Sequence, residues 1–123
     1  MSNTNSLNTN PFASQKIVVF GASGHTGRFV VAELARRGMM GVLAGRDPDK
    51  LRALHKTYPP FETRIASVDD PASLDRALLG ASLVINCAGP FLETAVPLME
   101  AALRARIHYL DAVSYTHLTL PTN

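Results

Sequence analysis

Three glycines spaced three apart, Gly21, Gly24 and Gly27, enclose Ser23, His25 and Thr26 in the stretch KIVVFGASGHTG. These residue types in this spacing suit the holding of a phosphate. Glycine permits a tight turn and the close approach of an anion to backbone N–H groups, and hydroxyls add donors. Gly21 is expected to make the turn, Gly24 to admit a pyrophosphate, and Gly27 to let helix and strand pack closely. Ser23 and Thr26 can bond phosphate oxygens. His25 reads as a loop side chain lining the ligand and not as an acid–base catalyst.

About 20 residues further on, at the end of an apolar run, dinucleotide sites usually carry an acid for the ribose 2′-hydroxyl. Here Gly45-Arg46 stands in that place. A guanidinium suits a 2′-phosphate, so NADP is expected in preference to NAD; the plainer alternative is a solvated loop charge. Asp47 follows, but its place before Pro48 makes it a helix N-cap. Asp69 could accept from an adenine amino group, or be only a loop acid beside the Asp70 cap. Cys87, Ala88, Gly89 and Pro90 close a fourth apolar run, LVIN, and their backbone is expected to face the nicotinamide-side ribose. Cys87 itself reads as a small buried hydrophobe, since a lone cysteine at a strand end is seldom a nucleophile. His108 and Asp111 lie on a fifth strand, with Asp111 toward the rim of the site. No metal-ligand spacing and no Ser/His/Asp set is present, so no catalytic residue and no metal is assigned.

The elements that must position these residues follow from periodicity and punctuation. Ile17–Phe20 is a strand and Thr26–Arg37 a helix ended by Gly38. Met39–Ala44 is a second strand, and Asp47-Pro48 opens a helix to Lys56 with Leu51 and Leu54 inward. Thr63–Val68 is a third strand, and Asp70-Pro71 opens a helix to Leu79, closed by Gly80. Leu83–Asn86 is the fourth strand. Thr94 then caps a helix that holds Pro97 in its first turn and ends near Ala105, and Ile107–Asp111 is the fifth strand. Alternating strands and helices, with continuously apolar strands, imply an α/β fold: a parallel sheet covered by helices on both faces. Right-handed crossovers and the glycine turn give the order 3-2-1-4-5, ahead of 2-1-3-4-5.

The whole chain of 123 residues sets the bounds: 46% apolar and 18% charged, as in a globular domain with one core. Twelve Lys and Arg against ten Asp and Glu, scattered along the chain, leave a formal charge of +2 and no basic stripe for nucleic acid. One cysteine excludes a disulfide framework and points to a reducing compartment. No run reaches the roughly 20 apolar residues of a membrane span, and no secretory signal is present, so a cytoplasmic protein is expected. Residues 1–14, rich in Asn, Ser and Thr, are expected to be a disordered tail, leaving 15–111 as the domain.

The last stretch, 112–123, reads AVSYTHLTLPTN. From Val113 it is what GTC TCT TAT ACA CAT CTG ACG CTG CCG ACG A would encode, a string resembling a transposase-based sequencing adapter. It is therefore expected to be a non-native tail on a truncated front end, and is excluded from fold reasoning. A sheet stopping at the fifth strand would also leave an apolar patch exposed.

GASGHTGR at 21–28, LAGRDPDKL at 43–51, VINCAGPF at 84–91 and HYLD at 108–111 together resemble the saccharopine dehydrogenase-like oxidoreductases, including the trans-acting enoyl reductase group. The resemblance implies an NADP-binding Rossmann-type domain followed, in the full-length protein, by a substrate and dimerisation domain, so that a homodimer would form. In that setting the fragment binds the dinucleotide and is inactive alone, because the missing part positions the small-molecule substrate. The alternatives are a non-catalytic NADP-sensing regulator and an extended short-chain dehydrogenase. Two departures stand out: Leu92–Ala95 lacks a glycine often found there, and Arg106 stands where a glycine commonly ends the helix.

Overall fold

The computed structural model describes residues 15–112, so the expectations for residues 1–14 and 113–123 lie outside the described residues. Five strands alternate with four helices: β1 (Ile17–Phe20), α1 (His25–Arg36), β2 (Gly41–Gly45), α2 (Pro48–Thr57), β3 (Glu62–Ile65), α3 (Pro71–Ala77), β4 (Leu83–Asn86), α4 (Phe91–Ala105) and β5 (His108–Asp111). Every pairing is parallel, and the sheet order is β3-β2-β1-β4-β5, the Rossmann-type order expected. Phe20 sits level with Ala44 on one side and Asn86 on the other, so three strands end together at one edge.

The strand alternation divides the core into two layers. Val18, Phe20, Val42, Ala44 and Val84 face Leu74 and Leu78 around α3 and Leu98 and Ala102 of α4. Ile17, Val19 and Leu43 face Val31 and Leu34 of α1 and Leu51 and Leu54 of α2. Both faces of β1 are therefore covered, which is why all four of its residues are buried and why it reads as an unbroken apolar run. The edge strands β3 and β5 are only partly buried. Arg64 on β3 turns its guanidinium onto the carbonyls of Ala77 (2.9 Å) and Leu79 (2.8 Å), tying the end of α3 to the sheet edge.

Helix ends differ from expectation at two places. Asp70 precedes α3, but its side chain makes no cap bond; the Ser73 hydroxyl donates to the Asp70 carbonyl (2.7 Å) and accepts from Ser67 N (3.0 Å). Thr94 does not cap α4, which begins at Phe91 with Pro90 as its N-cap, so Pro97 lies inside the helix. Pro90, at φ −70° and ψ 143°, already has the extended geometry an N-cap needs, and this moves the start four residues earlier. Strand β3 also ends at Ile65 and not at Val68; Ala66 N still donates to Gly45 O (2.8 Å), and residues 66–68 line the crevice described below.

Helix α4 carries an exposed apolar stripe. Leu92, Val96, Met99 and Leu103 stand at 83%, 56%, 42% and 77% exposure on a four-three-four spacing. At the end of α4, Arg106 takes the left-handed conformation (φ 61°, ψ 45°), and Ile107 N returns to Ala102 O at 3.0 Å. A side chain with a Cβ is strained there and glycine is not. Arg106→Gly is expected to stabilise the fold by about 1 kcal/mol, measurable as a shift of the denaturant midpoint at unchanged slope.

Candidate functional site

The C-terminal ends of β1, β2 and β4 open into a crevice of about 850 Å³. It lies where the chain order reverses between β1 and β4, the place where open parallel sheets bind their ligands. Of the residues singled out from the sequence, Gly21, Ser23, Gly24, His25, Thr26, Arg46, Asp69, Cys87, Ala88, Gly89 and Pro90 all line it. Gly27 does not. It is buried against the turn, where an added Cβ would lie 2.1 Å from the Gly21 carbonyl oxygen.

The glycine turn is built by β1 and β2 together. Gly21 N and Ala22 N both donate to Ala44 O, at 2.8 and 3.1 Å, and Gly24 N donates to Gly21 O at 3.1 Å. Gly21 has φ +79°, and a Cβ there would sit 2.8 Å from Ala88, so turn and opposite wall touch. Gly24 is the N-cap of α1 and supplies no side-chain cap; the first bond that closes the helix runs from Arg28 N to Gly24 O (2.9 Å). The N–H groups of His25 and Thr26, which line the crevice, precede that bond, and such groups with the helix dipole suit an anion.

Whether a dinucleotide fits can be tested on the glycines themselves. Gly21 and Gly27 are fixed by the protein, as above. Gly24 has an extended backbone (φ −78°, ψ 178°), and its Cβ would meet only Gly21 O, at 3.4 Å. Gly89, on the other wall, would meet nothing within 4 Å. Neither needs to be glycine for the chain to fold. Space kept clear at both lips of the crevice is what a phosphate and a ribose lying against backbone require.

On the β2 side, Asp47 is an N-cap as expected: its Oδ1 accepts from Asp49 N (3.0 Å) and Lys50 N (3.2 Å). The carboxylate nearest Arg46 is thus committed to α2. Arg46 is exposed and lines the crevice with Lys50, a residue not singled out from the sequence. Asp69 sits on the loop after β3, its N–H bonded to Ser67 Oγ (3.2 Å).

The wall formed by residues 87–90 is held from behind by a polar network centred on the buried Asn86, which sequence reasoning missed. Asn86, wholly buried, donates from Nδ2 to Thr94 Oγ1 (3.1 Å) and Tyr109 Oη (3.0 Å), and its Oδ1 accepts from Ala88 N (3.0 Å). Thr94 Oγ1 donates to Ala88 O (3.0 Å), and Tyr109 Oη donates to Asp111 Oδ2 (3.0 Å). The Gly89–Pro90 peptide in this wall is cis. Both Nδ2 hydrogens and the Oδ1 of Asn86 thereby find partners, so the loop is fixed without cost from stranded polar groups. The one visible signal was an asparagine closing an otherwise apolar strand.

Burial, and secondarily the Asp111 charge, pushes the Cys87 thiol up to about 12, so it is protonated at neutral pH and suited to packing. Burial likewise raises the Tyr109 hydroxyl to about 12; the Asn86 bond opposes the shift, and the Asp111 bond and charge reinforce it. Among the described residues no three His, Cys, Asp or Glu side chains cluster as metal ligands, and no helix is long and apolar enough to cross a membrane.

Residues 17–122 match the family described as the saccharopine dehydrogenase NADP binding domain. Among curated proteins the chain is similar to the saccharopine dehydrogenase-like oxidoreductase of Rattus norvegicus, 35% identical over 114 residues that cover 78% of this chain and 27% of that one. It is also similar to the trans-acting enoyl reductase of Mycobacterium ulcerans (strain Agy99), 30% identical over 102 residues, 78% of this chain and 24% of that one. The chain therefore spans about a quarter of the length of these relatives. The apo saccharopine dehydrogenase (L-Glu forming) of Saccharomyces cerevisiae superposes at a TM-score of 0.69 with 21% identity, covering 80% of this chain and 21% of that one, and so shares its fold.

Proposed function

This chain belongs to the saccharopine dehydrogenase NADP-binding domain family, and on that premise we propose that it is the cofactor-binding part of a hydride-transferring oxidoreductase, with NADP seated across the crevice between β1 and β4. The N-terminus of α1, from Gly21 to Thr26, receives the pyrophosphate. Arg46 takes the adenosine 2′-phosphate, Asp69 accepts from the adenine amino group, and Cys87 to Pro90 form the wall against the nicotinamide-side ribose. The observation that carries this reading is that Gly24 and Gly89, both lining the crevice, keep space clear beside a helix N-terminus with no side-chain cap.

A bound NADP cofactor would carry the hydride, and the residues of this chain would bind and orient it. The 15–111 unit holds no residue assigned to proton transfer, so substrate positioning falls to polypeptide beyond it in a longer protein, where a small-molecule substrate, a homodimer and a cytoplasmic setting complete the proposal. Residues 112–123 remain proposed as a non-native tail.

Calorimetry tests the cofactor assignment. NADPH is expected to bind the chain more tightly than NADH, by about tenfold or more for one charge-assisted phosphate contact. Arg46→Ala is expected to erase the difference by weakening NADPH alone. Equal affinities in the wild-type chain would refute the assignment.

A further inference from the structure

We propose that Lys50 is a second determinant of cofactor specificity, closing with Arg46 on the 2′-phosphate as a two-cation clamp built from side chains only. This rests on the reading of the crevice as an NADP site. The two residues are four apart in sequence, on either side of the Asp47 cap, and both line the same end of the crevice.

The backbone of α2 gives an anion no donor there. Pro48 has no N–H, Asp49 N and Lys50 N are both held by Asp47 Oδ1, and Leu51 N donates to Asp47 O at 3.1 Å. The contrast with the uncapped N-terminus of α1 is direct: one helix start offers N–H groups and the other withholds them. A doubly charged phosphate beside α2 must then be matched by side-chain cations, and one guanidinium leaves it undercompensated.

The state of the cations supports the pairing. Lys16, Arg36, Arg37, Arg52, Arg64 and Arg104 each form an ion pair with a carboxylate. Arg46, Lys50, Arg28, Lys56, Arg76 and Arg106 form none among the described residues, and of these six only Arg46 and Lys50 line the crevice; Asp49, which lies between them in sequence, is bonded to Arg52. The nearby acids are thus engaged, Asp47 by the cap and Asp49 by Arg52, and two exposed cations face the crevice. Of the other acids lining the crevice, Asp69 is the one read as meeting the adenine amino group, and Glu93 stands on α4 beyond the opposite wall's Pro90.

The test titrates NADPH and NADH separately into the 123-residue chain and into Lys50→Met, Lys50→Arg and Arg46→Ala. Lys50 is exposed, so Lys50→Met should melt with the wild type. Lys50→Met is expected to weaken NADPH by about tenfold with the loss confined to NADPH, and Lys50→Arg to restore most of it. If wild-type chain prefers NADPH and Arg46→Ala removes the preference while Lys50→Met leaves it intact, the clamp is wrong and the cofactor reading stands. A Lys50→Met loss equal for both dinucleotides also overturns the clamp. If the wild-type chain shows no preference, the reading beneath fails and the clamp with it.

Discussion

Gly24→Val is expected to lower NADPH affinity by at least about 100-fold, since it removes two or more charge-assisted bonds worth roughly 1.5–3 kcal/mol each. The fold should survive. Gly24 sits at φ −78° and ψ 178°, an extended conformation open to any residue, and an added Cβ meets only Gly21 O at 3.4 Å. What the isopropyl group fills is the mouth of the α1 N-terminus, where a pyrophosphate would need to lie against the N–H groups. Gly24→Ala should fall between the two, its single methyl pushing the phosphate outward. Calorimetry with NADPH reports the binding, and a thermal melt reports the fold; valine is a poorer N-cap than glycine, so a loss of about 1 kcal/mol is tolerable. Undiminished binding would show that the pyrophosphate does not use this helix end. A chain unfolded by the substitution would show that Gly24 is structural, and the cleared-lip argument would lapse.

What the sequence disclosed and what it withheld divide along chain distance. The turn at Gly21–Gly27, the Asp47 cap and the position of Arg46 are written in neighbouring residues, and the sheet order follows from the handedness of short crossovers. The network behind the opposite wall is not local: Asn86 meets Thr94 eight residues away and Tyr109 twenty-three away. Thr94 was read as a helix cap because a threonine ahead of an apolar periodic run usually is one. Its hydroxyl serves the wall instead, bonded to Asn86 and to the Ala88 carbonyl. The same local logic makes Asp70 a side-chain cap, but its carboxylate makes no such bond and Ser73 N donates to the Asp70 carbonyl instead (2.9 Å). Lys50 was invisible for the opposite reason. An exposed lysine in a first helical turn has no signature, and only the crevice wall on which it stands distinguishes it.

Gly27→Ala tests the other half of the glycine turn, and its failure should be of a different kind. Here the added Cβ would stand 2.1 Å from Gly21 O and 2.7 Å from Ala22 Cα. Both neighbours are backbone, and Gly21 is itself pinned through its N–H to Ala44 O at 2.8 Å and by the proximity of Ala88. Nothing flexible can yield, so α1 must lift from β1, loosening Val31 and Leu34 from the layer they share with Ile17 and Val19. Overpacking against fixed backbone costs about 3 kcal/mol, which for a domain of this size lowers the melting midpoint by roughly 15 °C. NADPH should still bind whatever fraction stays folded, and excess NADPH should raise the midpoint through mass action. Gly24→Val inverts that pattern, with a near-normal midpoint that NADPH no longer moves. If Gly27→Ala instead melts normally and only loses NADPH, then Gly27 contacts the dinucleotide directly, and the division of the turn into a packing glycine and a ligand glycine is wrong.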